Sequence, residues 1–253
     1  MIHYHGTPIA CSDDQAARIL KGRHAFVSYG SRNSVYQLPI IEEVCQSYAL
    51  DNGAFSLFKS GNPVDWDGYY KFLDEVYGPS TDFAIIPDEI GGSEKDQDRL
   101  IAEWPFENSK IEGVPVWHSN ESINRLSMLA ERFQRICIGS GPGLNPNSAE
   151  WWMRINQAFD VLTDEDGRPC NKIHLLRGLN NNIFTKLPVT SADSTMVGRS
   201  MRESSTCQWT GSFKPITHYA KAMVLIDRIE NFNAPKRWTR EPIQTEFNLW
   251  EFA

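Results

Sequence analysis

Short apolar runs that stop at polar or glycine-containing turns recur along the chain, at Ile2 to Gly6, Ala25 to Gly30, Ser47 to Gly53, Asp82 to Asp88, Val114 to Ser119, Arg135 to Gly141, Lys172 to Gly178 and Leu187 to Ser194. Their lengths and boundaries predict eight strands. Between several of them lie stretches with helical spacing: Asp65 to Tyr77, Ser93 to Glu103, Ser119 to Arg132 and Ser148 to Phe159. In the third, Ile123, Leu126, Leu129 and Ala130 recur three or four residues apart, as on a helix face packed against a sheet. In the fourth, Ser148 is placed to cap a run carrying Trp151, Trp152, Ile155 and Phe159.

Strands alternating with helices imply parallel βαβ units, and eight of them imply closure into a compact α/β fold, a (β/α)8 TIM-like barrel. A doubly wound sheet is the alternative, but no GxGxxG follows the first strand and no Walker motif occurs. The pattern weakens between Thr7 and His24, which holds one short helix from Asp13 to Lys21. It weakens again after Ala192, where a Ser-, Thr- and Arg-rich stretch precedes a last helix through His218, Lys221, Leu225 and Ile229. The expectation is a single barrel domain over residues 1–253, with residues 196–253 forming a C-terminal helix and a tail packed on the barrel.

Composition changes this picture little. The chain has 253 residues, 41% hydrophobic and 23% charged, enough for a substantial core and unlike a disordered protein. A net charge of −7 argues against a surface that coats nucleic acid generally, though not against a local basic patch. Cys11, Cys45, Cys137, Cys170 and Cys207 are odd in number and widely spaced, which suggests neither a disulfide framework nor a CxxC zinc site. With no signal-like N-terminus and no run of eighteen apolar residues, the expected location is the cytoplasm, away from membranes.

In a closed parallel barrel the C-terminal strand ends converge on one mouth, so the residues there are the candidates for chemistry. They are Asp51 with Asn52, Asp88 with Glu89, His118 with Ser119, the turn Gly139 to Gly143, Arg177 with Gly178, and Asp193 with Ser194. Asp51, Asp88 and Asp193 each follow an apolar run directly, as glycosyl chemistry with one nucleophile and one proton carrier would need, although each alone reads equally as a turn residue. Glu89 competes with Asp88, and the hydroxyls of Ser191, Ser194 and Thr195 are placed to donate to Asp193. The turn IGSGPG offers backbone N–H groups, and Phe55 and Trp117 offer aromatic walls or core packing. His3, His5 and His118 raise a metal-bound, amidohydrolase-like alternative, against which His3 and His5 sit within a strand; His174, among apolar neighbours, reads as core or interface.

Several of these segments share a family resemblance. LDNGAFS resembles the aspartate, glycine and aromatic segment of tRNA-guanine transglycosylases; FAIIPDE resembles their second base-recognition aspartate, ICIGSG their glycine strand end, KIHLLRG the strand before the nucleophile, and SADS the nucleophile segment. Within that superfamily the chain is most similar to the DpdA-like DNA 7-deazaguanine transglycosylases of phages and bacterial genomic islands, an impression to which HYHGT and VSYGSRNS add. The resemblance implies a pentosyltransferase that exchanges guanine in DNA for a 7-deazaguanine, such as 7-cyano-7-deazaguanine, through a covalent aspartyl-sugar intermediate.

On that resemblance Asp193 is the nucleophile and Asp51 binds the base edge and assists proton transfer, so these two are the catalytic residues. Asp88 holds the ring N–H, Phe55 stacks on the heterocycle, and Asn52, Trp117, His118, Gly139, Ser140, Gly141 and Arg177 complete the substrate site. Lys186, Arg199 and Arg202, near the proposed nucleophile, supply a nucleic-acid backbone path, with Lys214 and Lys221 beyond them. The implied partners are guanine-containing DNA, a free 7-deazaguanine base and proteins that deliver DNA, with no cofactor and no metal. Cys207 stands alone where the tRNA enzymes cluster three cysteines, so the zinc-binding subdomain is not expected. A tRNA-guanine transglycosylase, a nucleosidase or glycosidase using water, and a non-catalytic binding barrel remain as alternatives.

Overall fold

The computed structural model describes residues 1–61, 63–141, 143–201 and 215–240. All its strands run parallel in one sheet: β1 (Ile2–Gly6), β2 (His24–Ser28), β3 (Ser47–Asp51), β4 (Thr81–Ile85), β5 (Gly113–Val114), β6 (Val116–His118), β7 (Arg135–Gly139), β8 (Lys172–Leu175) and β9 (Ser191–Ser194). β1 pairs with both β2 and β9, and the two ends of the ladder are β5 and β6. These two are one chain segment interrupted at Pro115, which lacks a backbone N–H and so cannot donate to the ladder. Its carbonyl still accepts from the Cys137 N–H at 2.9 Å, which carries the pairing across the interruption. The result is a nearly closed TIM-like barrel, in which the fifth expected strand is two short ones.

Helices cover the outside, and serines cap several of them. Ser12 caps α1 (Asp13–Leu20) and Ser31 caps α2 (Arg32–Tyr36), ahead of α3 (Leu38–Val44). After β3 come α4 (Ala54–Ser60) and α5 (Trp66–Val76); after β4 comes α6 (Glu94–Ala102), opened by a capping box between Ser93 and Asp96. Ser122 caps α7 (Ile123–Arg132), three residues later than the sequence pattern places its start, and Ser148 caps α8 (Ala149–Leu162) as expected. The outer layer ends with α9 (Asn181–Phe184), α10 (Met196–Ser200) and α11 (His218–Glu230). α11 lays Ala222, Leu225, Ile226 and Ile229 into the same core as the other helices.

Strand alternation splits the apolar residues into two sets. Ala25, Val27, Leu50, Ala84, Trp117, Ile136, Ile138 and Leu175 face outward and pack under the helices. Tyr4, Phe26, Ala49, Phe83, Ile85, Val114, Val116 and Cys137 face inward and fill the lumen. A bulge in β4 gives it one extra residue opposite β3, so Asp82 and Phe83 both meet Tyr4, through its hydroxyl and through its ring. His174 stacks on Phe26 with ring centroids 5.2 Å apart. The lumen is therefore plugged below its C-terminal rim, and the mouth above the plug has a floor. No described helix is long and apolar enough to cross a membrane.

Candidate functional site

The inward parity that plugs the lumen continues to the strand ends and decides which side chains reach the mouth. Asp51 follows Ala49 on the inner face of β3, His118 follows Val116 on β6, and Asp193 alternates with the outward Ala192 on β9. Trp117 falls on the opposite parity. It is wholly buried under α7, with its indole N–H donating to the Ser122 carbonyl at 3.0 Å, and is not a wall of the mouth.

The turn after Asp51 is built on contact between two glycines. Gly53 has φ +79°, and a Cβ there would overlap the Gly30 nitrogen and lie 2.5 Å from its Cα. The loops after β2 and β3 thus touch backbone to backbone, and α4 begins immediately, which places Phe55 in its first turn at the rim. Asn52, buried beneath, accepts from the Ala54 N–H at 2.8 Å and donates to the Ile86 carbonyl at 3.0 Å and to Asp88 Oδ1 at 2.7 Å. Asn52 is a brace between two strand ends.

Asp88 is the acid of its segment that turns inward, whereas Glu89 is exposed. Its other oxygen meets His118 Nε2 at 3.0 Å, and His118 Nδ1 meets Glu121 Oε1 at 3.1 Å. Burial opposes a charge on this imidazole, but the two carboxylates outweigh it and raise its pKa to about 9. An Asp88 so engaged already has a donor on each oxygen, which argues against the role of holding a ring N–H and an exocyclic amine.

Asp193 is held by the Arg177 N–H, which donates to its Oδ1 at 2.7 Å, and His174 Nε2 approaches the same oxygen at 3.4 Å. Of the expected hydroxyl donors, Ser191 Oγ meets His174 Nδ1 at 2.9 Å and Ser194 Oγ accepts from the Met196 N–H. Arg177 reaches this position with φ +57°, an unusual backbone for a residue with a side chain. Its guanidinium lies 3.3 Å from the centroid of the half-exposed Phe55 ring.

Asp51 keeps limited access to solvent. Its pKa is raised to about 6, chiefly by burial and further by the charges of Asp193 and Asp88, with the Ser28 hydroxyl and Arg177 acting in the opposite direction. Near neutrality it is a carboxyl group that both accepts and releases protons.

The remaining candidates divide. Gly139 leaves room for the edge of His118, where a Cβ would meet its Cδ2 at 3.2 Å. The Gly141 N–H donates to Ser119 Oγ at 2.9 Å and is not turned to the mouth for a ligand, while Ser140 is exposed. Arg199, on α10, is exposed and close enough to Arg177 to oppose its charge. Lys186 lies over the Trp152 ring at 5.3 Å, against α8, and Arg202 and Lys214 lie outside the described residues. His3 and His5 point outward to the end of α11, where they meet the Phe232 carbonyl and Glu230 at 2.9 Å each, so they do not join His118 in a metal site. Among the described residues no group of three His, Cys, Asp or Glu is arranged to hold a metal ion. Glu121 and Arg125, which complete the surroundings of His118, carry no motif in the sequence beyond an acid and a base four residues apart.

No family model and no curated protein matches the sequence. Solved structures do match in fold. A mutant tryptophan synthase alpha subunit from the hyperthermophile Pyrococcus furiosus superposes with a TM-score of 0.48 at 11% identity, covering 90% of this chain and 95% of that one. The structure describing mutual activation of the tryptophan synthase α2β2 complex from the same organism gives 0.49 at 9% identity, covering 91% and 95%.

These neighbours are tryptophan synthase alpha subunits and not guanine transglycosylases. The expected membership in the transglycosylase superfamily, with its phage setting, is therefore corrected. So is the base-exchange activity, and with it the pentosyltransferase assignment and the partnership with DNA and a free 7-deazaguanine. Likeness at this level carries no activity to this chain.

Proposed function

We propose that the chain is an acid–base enzyme of the lyase or isomerase type, which moves protons on a small, polar, unsaturated molecule bound at the C-terminal mouth. The observation that carries this reading is the convergence of Asp51, Asp88 and Asp193, with Asp51 raised to about 6 by burial and its acidic neighbours. Acid–base catalysis is most efficient with groups whose pKa lies near the working pH, and one poised carboxyl beside a second gives a donor and an acceptor. In this reading Asp51 and Asp193 are the catalytic residues. Phe55 offers a flat apolar face and Arg177 a cation for a polar end of the substrate, while Asn52, Asp88 and His118 hold the wall between them.

The test is proton exchange. The protein is incubated in D2O with a panel of small carbonyl- and imine-bearing molecules, and loss of C–H signals is followed by NMR. Exchange into at least one class of compound is expected, with a drop of at least about a hundredfold in the Asp51→Asn variant. Exchange that is equally fast in Asp51→Asn, or absent across the panel, would overturn the proposal.

A further inference from the structure

We infer that Glu121 and Arg125 are positioning residues that lock His118 as a doubly donating bridge and thereby fix the Asp88 carboxylate at the mouth. The inference rests on the acid–base reading of the site, and it concerns residues outside that site's reacting groups.

The geometry is a chain of alternating charge that runs from the mouth outward through the barrel wall to α6. Asp88 Oδ2 meets His118 Nε2 at 3.0 Å, and His118 Nδ1 meets Glu121 Oε1 at 3.1 Å. Glu121 Oε2 accepts both from the His118 backbone N–H at 3.0 Å and from Arg125 Nη1 at 2.5 Å. Arg125 Nε then meets Asp98 Oδ1 on α6 at 2.9 Å, while its Nη1 also donates to the Val116 carbonyl at 3.1 Å. Asp88 is 7% exposed, His118 5%, Glu121 4% and Arg125 1%. The outermost member, Asp98, has its side chain half exposed.

Two features make this more than a buried ion pair. Both ring nitrogens of His118 face carboxylate oxygens, so the ring satisfies both only when each nitrogen carries a proton. The ring edge also lies close to Gly139, where an added Cβ would meet Cδ2 at 3.2 Å, and Arg154 ties the loop from behind by donating to the Ser119 carbonyl at 2.8 Å and to the Glu121 carbonyl. The charged groups around the imidazole are therefore Asp88 on one side and Glu121 on the other, with Arg125 behind Glu121. Removing the Glu121 charge leaves Asp88 as the single carboxylate partner, and the second ring proton is lost at lower pH. Asp88 then loses a charged donor on Oδ2 and is held chiefly by Asn52 on Oδ1.

The experiment follows the His118 ring by 15N NMR across pH in the full chain, in parent protein, Glu121→Gln and Arg125→Lys. The parent ring is expected to stay doubly protonated to above neutral pH, its pKa being raised to about 9 by Asp88 and Glu121 against the effect of burial. The midpoint is expected to fall by at least about one pH unit in Glu121→Gln and by a smaller amount in Arg125→Lys, which keeps a cation but loses the fork. An unchanged midpoint in the folded variants overturns the inference, and Arg125→Lys still gives a reading if Glu121→Gln does not fold. The Asp51 carboxyl is followed by 13C in the same samples. A His118 shift without titration of Asp51 near its raised pKa of about 6 supports the positioning role while refuting the acid–base reading, so the two fail separately.

Discussion

Replacing Asp51 by Asn is expected to make the protein more stable, and to do so only above acidic pH. Folding raises the carboxyl from its ordinary 3.8 to about 6. The native state then holds this proton more tightly than the unfolded chain, and between those two values it binds more protons. Stability contributed by this group therefore falls as pH rises through that window, and above it the full penalty is present. At about 1.36 kcal/mol per pH unit the penalty is about 3 kcal/mol, which solvent reaching the mouth brings to about 1–3 kcal/mol. The isosteric amide has no charge to desolvate. Urea unfolding at about pH 8 should show Asp51→Asn stabilised by about that amount, and at about pH 4 the gain should shrink to about 0.5 kcal/mol or less. An equal gain at both pH values, or a loss at the higher one, would refute the reasoning. A gain confined to high pH would mean that the site holds its acid at a cost to the fold, as functional sites often do.

Two further outcomes test the framework around the mouth. Gly53→Ala combines a left-handed backbone with a clash against Gly30, and should cost at least about 3 kcal/mol in chemical denaturation. Gly22→Ala, with φ +70° but nothing within 4 Å of an added Cβ, should cost only about 1 kcal/mol. Trp117→Ala should lose about 3–5 kcal/mol because the ring is core, while Phe55→Ala should change stability by about 1 kcal/mol or less and show itself in ligand affinity instead.

The alternation of apolar runs and helical spacing was sufficient to read the barrel, because each strand end announces itself where apolar residues stop. Asp51, Asp88 and Asp193 were legible for the same reason. Which neighbour of each turns inward was not, since it depends on strand parity, and parity is set by register. Trp117 and His118 are adjacent, yet one is core and the other site. The divided fifth strand follows from Pro115, whose missing N–H matters only once it has a partner across the ladder. The Gly141 amide looked available because its acceptor, Ser119, comes from another strand end. The family resemblance rested on short segments in order, and three aspartates at strand ends are compatible with more than one chemistry.

The aromatic plug under the mouth has a consequence for traffic. With Tyr4, Phe26, Phe83 and His174 closing the lumen, the chamber above is a cul-de-sac. On the acid–base reading, substrate and product then share one opening, beside Phe55 and Arg177, so a product must clear the rim before the next molecule arrives.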